Sequence, residues 1–160
     1  MAEVFLKLDQ IPGESKDEKG HADEIEVLSY SWGCSQLGSF SGGGGGGTGG
    51  VQNQNISFSF VTSKATPKLA EKCIDGTHIA TAKLTLRKAG GTALEYLVYE
   101  FKDLMVTSYQ TGAGGNDTVI DTFSFDFAAM KAKYKEQKAD GSGVDAGEYQ
   151  WNFKTNAASF

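Results

Sequence analysis

Apolar and polar residues alternate along four separate stretches of this chain. A period of two places successive side chains on opposite faces of a β-strand. Each stretch is therefore predicted to be a strand with one face in a hydrophobic core. The stretches are Val4–Leu8, Ile56–Phe60, Ala80–Leu86 and Phe123–Phe127.

Two further stretches change faces along their length. Over 24–34 the apolar residues keep one parity up to Val27 and take the other from Leu28 onwards, and over 94–109 they occupy both parities. Strands of this kind bend between two sheets, or leave one contact surface for another. We expect the apolar side chains after the first change to point into the core: Leu28, Tyr30 and Trp32. The small residues that share the opposite face are Ser29, Ser31 and Gly33.

One short helix is predicted, with Thr66 as its N-cap, Pro67 as its first residue and Gly76 as its stop. The residues expected to pack against a sheet are Leu69, Ala70, Cys73 and Ile74. Because one short helix stands among many strands, the predicted fold is all-β. We expect a single domain over residues 1–160, formed as a closed or nearly closed antiparallel barrel.

Residues 38–50, GSFSGGGGGGTGG, are unusually rich in glycine. They do not form a nucleotide-binding loop, because no Lys-Ser or Lys-Thr pair follows and the next element is a strand. This composition predicts a flexible loop, far longer than the roughly two to five residues that a hairpin needs. Two interpretations stay open: a disordered insertion, or an arm that becomes ordered only on assembly.

Composition argues against several classes of function. The formal net charge of -5 is wrong for a protein that binds nucleic-acid phosphates. The apolar runs fall far short of the roughly 20 residues of a membrane-spanning helix. The N-terminal residues lack the basic start and apolar stretch of a Sec signal peptide, so a cytoplasmic protein is expected. Its two cysteines are then expected to be reduced thiols.

The residues predict no metal centre, cofactor site or catalytic set. The soft and imidazole ligands are Cys34, Cys73, His21 and His78. No C-x-x-C or H-x-x-x-H spacing joins them. Carboxylate pairs occur on the predicted strands, but nothing places them in a cleft. We therefore expect neither an enzyme nor a bound cofactor or metal.

Several motifs together resemble one family. They are GESKDEKGHADEIEVLSYSWG at 13–33 with the glycine-rich segment after it, KLTLRKAGG at 83–91, YEFKDLMVTSYQTG at 99–112, KADG at 138–141 and YQWN at 149–152. Over nearly its whole length the chain is similar to the haemolysin-coregulated protein (Hcp) family, the tube protein of bacterial type VI secretion systems. The resemblance implies a two-sheet antiparallel β-barrel with one short helix that assembles into hexameric rings. Stacked rings are expected to form a hollow tube, with a contractile sheath, a baseplate and spike protein, and effector proteins carried in the lumen as partners.

The resemblance also implies roles for particular residues. Ser29, Ser31 and Gly33 are expected to face the lumen and contact effectors. The residues expected to stack one ring on the next are Ser39, Phe40, Ser41, Gly42, Gly45 and Thr48. The two strands that change faces are our choice for the contact between neighbours in a ring. The protein is expected in the cytoplasm before the tube is fired and outside the cell afterwards.

Two questions stay open at this stage. Charged residues of 14–24 either mediate ring or sheath contacts or form an ordinary solvated loop. A ligand-binding barrel with the glycine-rich loop as its lid is the alternative function. Inward-facing phenylalanines count against a ligand cavity, because they would fill it: Phe58, Phe60, Phe123, Phe125 and Phe127.

Overall fold

The computed structural model describes residues 2–39, 47–91 and 93–160. Antiparallel strands make up most of this part of the chain. The strands are β1 (Ala2–Leu8), β2 (Ile25–Ser31), β3 (Cys34–Ser39), β4 (Gly47–Asn53), β5 (Ile56–Val61), β6 (Ile79–Lys88), β7 (Glu95–Gly112), β8 (Ile120–Gln137) and β9 (Gly143–Asn152), and the helix is α1 (Thr66–Asp75). The stretches with a period of two lie within β1, β5, β6 and β8, so those predictions are confirmed. Within the described residues, no helix has the length and apolar character needed to cross a bilayer.

Six strands close into a barrel. Each strand pairs with the next in the order β5-β2-β1-β6-β7-β8, and pairing between β5 and β8 closes the circle. Strand β9 adds to β8 outside the circle, and β3 pairs with β4 as a separate hairpin, which we call the arm. The predicted all-β antiparallel barrel with one short helix is therefore confirmed.

The long strands β7 and β8 divide the barrel into two sheets. The second half of β7, Met105–Gly112, pairs with the first half of β8, and β8 continues through β5 to β2. We call this set of strands sheet I. The first half of β7 pairs with β6 and with the second half of β8, and β1 and β9 extend this side. We call this second set of strands sheet II, and the hydrophobic core lies between the two sheets.

Phenylalanines fill the centre of the core. Phe58 on β5 stacks against Phe123 and Phe125 on β8, with ring centroids 5.2 and 5.4 Å apart. Stacked and edge-to-face contacts of this kind add to the stabilisation that comes from burying the rings. The inward orientation predicted for the five phenylalanines of β5 and β8 is confirmed, since each is at most 4% exposed.

A β-bulge causes the change of face in β2. Val27 pairs with Phe60 and Ser29 pairs with Ser59, so Leu28 is an extra residue without a partner on β5. The bulge moves the following residues to the opposite parity. Tyr30 then packs against the core as expected, but Leu28 is 59% exposed, and its predicted inward position is wrong.

The change of face in β7 has a different cause. Phe101 and Leu104 are both buried although three positions separate them. Asp103 lies between them with a φ of 55°, in the left-handed region that non-glycine residues seldom adopt. One residue in this conformation turns the strand so that both apolar side chains reach the core.

Helix α1 packs on the core through Leu69, which is fully buried, and the half-buried Cys73. Ala65 occupies the N-cap position predicted for Thr66. The Thr66 hydroxyl instead donates to Asp121 on β8 (2.5 Å), which ties the start of the helix to sheet I. Ile74 is 86% exposed, so its predicted packing is wrong. At about 100° per residue, Ile74 lies about 140° around the helix from Leu69, too far to share its face.

Candidate functional site

The outer face of sheet I is lined by small polar side chains in two rows that cross all four strands. In one row Ser29, Ser59, Thr122 and Gln110 are successive cross-strand partners. In the other row the partners are Ser31, Ser57, Ser124 and Ser108. We call these eight residues the neutral face. It contains the two serines for which the sequence predicted contact with the lumen.

Hydroxyl groups on the neutral face bond to one another. The Ser29 and Ser59 hydroxyl oxygens lie 2.5 Å apart, and the Ser124 hydroxyl lies 2.5 Å from that of Ser108 and 2.8 Å from that of Thr107. Ser29 and Ser31 are exposed, so solvent or another molecule can reach this side of the sheet. Exposed hydroxyls exchange hydrogen bonds with water at little net free energy, so such a surface binds other molecules weakly.

Gly33 lies beyond the end of β2 rather than on the neutral face. Its carbonyl accepts a hydrogen bond from the backbone N–H of Gln54 (3.1 Å), which directly follows the last residue of β4. A Cβ atom at this position would lie 3.2 Å from the Gln54 side-chain oxygen. Gly33 therefore marks the crossing from β2 into the arm, and the predicted set of three residues is divided between two places.

Charged side chains are nearly absent from sheet I. The sequence contains no Asp, Glu, Lys, Arg or His from Val27 to Ser63, nor from Leu104 to Asn116. These two runs supply β5, the second half of β7 and the whole of β2 after its first two residues. In the first half of β8 the acids are Asp121, which is buried, and Asp126, which lies beyond the two rows.

Sheet I ends on both sides in a strand with a free edge. Among the described residues, β1 pairs with β2 only at Ile25 and Glu26, so the rest of β2 pairs on one side alone. Strand β6 follows β7 only as far as Leu104, so Met105–Gly112 pairs with β8 alone. An unpaired edge presents backbone N–H and C=O groups that another strand can join. The two free edges belong to the two strands that change faces.

The described ends of the glycine-rich segment belong to the paired strands of the arm. Gly38 pairs with Thr48 and Ser39 with Gly47, where the sequence predicted a flexible loop. Glycine and serine have low β-propensity, so only this cross-strand pairing reveals the strands. Four of the residues predicted to stack rings lie outside the described residues: Phe40, Ser41, Gly42 and Gly45.

Residues 13–24 cross the outer face of sheet II, and we call them the strap. The buried Arg87 on β6 donates from Nη1 and Nη2 to both carboxylate oxygens of Asp17 (2.9 and 2.8 Å), and from Nε to Glu3 (2.7 Å). This hydrogen bonding lowers the pKa of Asp17 from 3.8 to about 2 and raises that of Arg87. A bidentate pair of this kind fixes the strap in position as well as stabilising it.

A second anchor of the strap is His21. Its ring stacks on that of Phe5 on β1, with centroids 4.5 Å apart, and is 5% exposed. Nδ1 lies 2.7 Å from a Glu24 carboxylate oxygen and Nε2 lies 2.6 Å from one of Glu95 on β7. Each ring nitrogen therefore lies within hydrogen-bonding distance of a carboxylate. Asp17 and Glu24 are thus structural partners within the subunit, so the interpretation of 14–24 as an ordinary solvated loop is wrong for these two residues.

An aromatic cleft of about 460 Å³ opens between the arm and β9. Cys34, Tyr149 and Trp151 are among its lining residues, and burial raises the pKa of Tyr149 to about 12. Cys34 and Cys73 are free thiols in this structure. Within the described parts of the chain, no group of three or more His, Cys, Asp or Glu residues could hold a metal ion.

Comparisons with known proteins agree with this architecture. The family model described as "Type VI secretion system effector, Hcp" matches residues 5–134. Protein hcp1 of Pseudomonas aeruginosa is 46% identical over 158 residues, which is 96% of each chain. A structure described as that of a type six secretion system protein superposes with a TM-score of 0.90 at 28% identity, over 98% of this chain and 99% of that one. Hcp1 from Salmonella typhimurium gives 0.78 at 33% identity over the same shares.

Proposed function

Because the chain belongs to the Hcp family of type VI secretion proteins, we propose that it is the structural subunit of a secreted tube. Hexameric rings of this protein stack into a hollow tube, and the lumen of each ring binds and carries effector proteins. The sheath and the baseplate and spike protein are its other partners. The subunit is held in the cytoplasm until the tube is fired and is then delivered outside the cell.

The neutral face is the observation that carries this proposal. A channel that passes many different proteins needs a wall to which none of them adheres strongly. A charged wall would hold polypeptides of opposite charge, and an apolar wall would bury their exposed apolar side chains. The two rows of the neutral face offer neither kind of attraction.

The free edges of sheet I suggest how the ring closes. Residues 27–31 of one copy pair with residues 105–112 of the next, so the sheets of all copies join side by side. Adding one strand to another supplies main-chain hydrogen bonds at two edges that are otherwise unpaired. Two different edges make a head-to-tail contact, and such contacts generate rings when the rotation closes. The neutral faces then form a continuous inner wall.

Cysteine pairs test this contact. In a Cys34→Ser, Cys73→Ser background, we introduce either Ser29→Cys with Gln110→Cys or Ser31→Cys with Ser108→Cys. Mild oxidation should give a ladder of linked subunits that stops at six on a denaturing gel. Each single-cysteine variant is the matched control and should give no cross-linked species larger than a dimer. Absence of a ladder from both pairs, in protein that is hexameric by light scattering, would contradict the proposed edges.

A bulky substitution tests the lumen. Ser31→Trp should preserve the hexamer but displace effectors, because six indole rings would narrow the channel. Thr81→Trp is the control, since Thr81 is exposed on sheet II. We would compare effector co-purification and secretion. Equal cargo recovery from both variants would exclude the neutral face as the carrier surface.

The arm and the glycine-rich segment are proposed to stack the rings, with Ser39, Phe40, Ser41, Gly42, Gly45 and Thr48 at the contact. Each such contact is weak, and several must act together around a ring. Shortening the run of six glycines should therefore leave rings intact and impair tube growth, as seen by negative-stain microscopy. Loss of the ring itself would refute this division of roles.

A further inference from the structure

Three exposed apolar side chains lie together at one end of sheet I. Leu28 at the bulge of β2 is 59% exposed, Val61 at the end of β5 is 43% exposed, and Val119 just before β8 is 40% exposed. Leu28 and Val61 line the same cleft, of about 330 Å³. The Thr62 backbone N–H donates to the Val119 carbonyl (3.1 Å), which holds Val119 beside the end of β5. We call these three residues the rim patch.

The rim patch and the arm lie at opposite ends of sheet I. Strand β2 runs from Leu28 toward Cys34, where the arm begins, and β5 returns from the arm at Ile56 to Val61. The six steps from Leu28 to Cys34 span about 20 Å along the strand direction. One end of the neutral face therefore carries the arm, and the other carries a cleft in which Leu28 and Val61 lie beside Glu14 and Glu26.

The described part of the arm suits such a cleft. Leu37 on β3 is 56% exposed, although the residues around it are polar or glycine. The arm carries no charged residue, because it lies within the uncharged run that ends at Ser63. An uncharged hairpin with an exposed leucine can pack against Leu28 and Val61 without bringing a charge of its own into the cleft.

We propose that the rim patch is the receiving site for the arm of a second copy of this chain in the adjacent ring. Complementary features at opposite ends of one molecule make a head-to-tail contact that repeats without closing, which generates a filament. Leu37 of one copy packs against Leu28, Val61 and Val119 of the next. This inference rests on the proposed tube function and adds the surface that receives the arm.

Charge substitution in the rim patch provides the test. Val61→Glu places a carboxylate where the arm would bury it and should raise the protein concentration needed for half-maximal stacking by roughly tenfold or more. Val119→Glu should act in the same way, and Val119 lies outside both segments of the proposed ring contact. Val144→Glu is the matched control, because Val144 is a valine of similar exposure (38%) on sheet II and lies outside the proposed contacts. Ring size is measured by light scattering, and stacking by sedimentation and negative-stain microscopy.

The outcomes separate this inference from the tube proposal. Intact rings that stack poorly in both rim variants, with normal stacking of the control, would support it. Normal stacking of the rim variants would overturn it while leaving the tube proposal in place, and loss of the rings would overturn it by assigning the patch to the ring contact. Parent protein that forms no rings or stacks would contradict the tube proposal itself, and this inference with it.

A cysteine pair gives a second readout that does not depend on weakening a contact. In the Cys34→Ser, Cys73→Ser background, Leu37→Cys with Val61→Cys should give oxidised species larger than six subunits. The pair Leu37→Cys with Val144→Cys should not. Equal cross-linking in both pairs would contradict the rim patch as the receiving site.

Discussion

The two sheets pack on the same core but differ sharply on their outer faces. Sheet I presents hydroxyl and amide groups, and its nearest acids are buried or beyond the rows of the neutral face. Sheet II presents charges in register: Lys83, Glu100 and Lys131 are successive cross-strand partners on β6, β7 and β8. Opposite charges in neighbouring positions attract, so the same strand geometry stabilises one face electrostatically and leaves the other neutral.

The difference shows that the core determines the barrel and the outer faces determine what it contacts. Sheet II binds a segment of its own chain, since the strap is anchored by Asp17 to Arg87 and by His21 to Glu95 and Phe5. Sheet I binds no other described segment across its two rows, and part of each of its edge strands is not paired with another described strand. Substitutions on sheet II should therefore change the stability of the subunit, whereas those on sheet I should chiefly change assembly.

The largest effect is expected at Arg87. Arg87→Met should lower the free energy of unfolding by about 3 kcal/mol, because it removes the buried cation that bonds to the largely shielded carboxylate of Asp17 and to the more exposed one of Glu3. Chemical unfolding at a fixed protein concentration measures the change. Fixed concentration is needed because assembly contributes to apparent stability.

Lys83→Met is the control for Arg87→Met. Lys83 lies on the same strand and points to the same side, but it is exposed. Its replacement should change stability by less than about 0.5 kcal/mol. Equal losses in the two variants would contradict the special contribution assigned to the buried ion pairs of Arg87.

A smaller loss of stability is expected at Gly13, where the strap begins. A Cβ there would overlap the Glu24 carbonyl oxygen and lie 2.7 Å from the Ile25 Cα. Both obstacles are backbone atoms, so Gly13→Ala should cost about 2 kcal/mol as the strap shifts. In the arm, a Cβ at Gly38 would meet nothing within 4 Å, so Gly38→Ala should be nearly neutral. Thermal unfolding of both variants tests whether strap and arm differ in this way.

Acid should weaken the strap before it affects the neutral face. The pKa of Asp17 falls from 3.8 to about 2 on folding, so the ionised carboxylate stabilises the fold above the unfolded value. This contribution is lost as the pH falls from about 5 to about 2. The stability difference between the parent and Asp17→Asn should therefore shrink over that range.

Asp23→Asn is the comparison for Asp17→Asn. Its carboxylate is mostly exposed and lies 3.7 Å from Lys64, an arrangement that contributes little to stability. Denaturant midpoints across the pH series should show almost no effect of this substitution. A difference between Asp17→Asn and the parent that does not vary with pH would contradict the role assigned to the Arg87 pair.

The strands were predictable because one-sided burial imposes its own period on the sequence. The direction of the Leu28 side chain could not be predicted in this way. An inserted residue and a strand that bends between two sheets produce the same change of parity in the sequence. Only the pairing of Val27 with Phe60 and of Ser29 with Ser59 identifies Leu28 as the extra residue. A local pattern cannot contain that pairing, since the partners lie about 30 residues away.

The same limit applied to the strap. Asp17 looks like a solvated loop residue because its partner, Arg87, lies 70 positions further along the chain. For the candidate site, the serines at alternate positions of β2 were visible in the sequence. Their continuation through Ser57, Ser124 and Ser108 required the register of three further strands. The uncharged run from Val27 to Ser63 was the sequence signal that could have outlined this surface.

The smallest effect is expected on the neutral face itself. Ser29→Ala removes one partner of the hydroxyl pair with Ser59, but water can replace it at this exposed position. Unfolding of the parent and the variant should differ by about 0.5 kcal/mol or less. Ser124→Ala, at a position 7% exposed with two hydroxyl partners, should cost more, about 1 kcal/mol. If Ser29→Ala cost as much as Arg87→Met, the neutral face would be part of the folding core, and the contrast between the two sheets would fail.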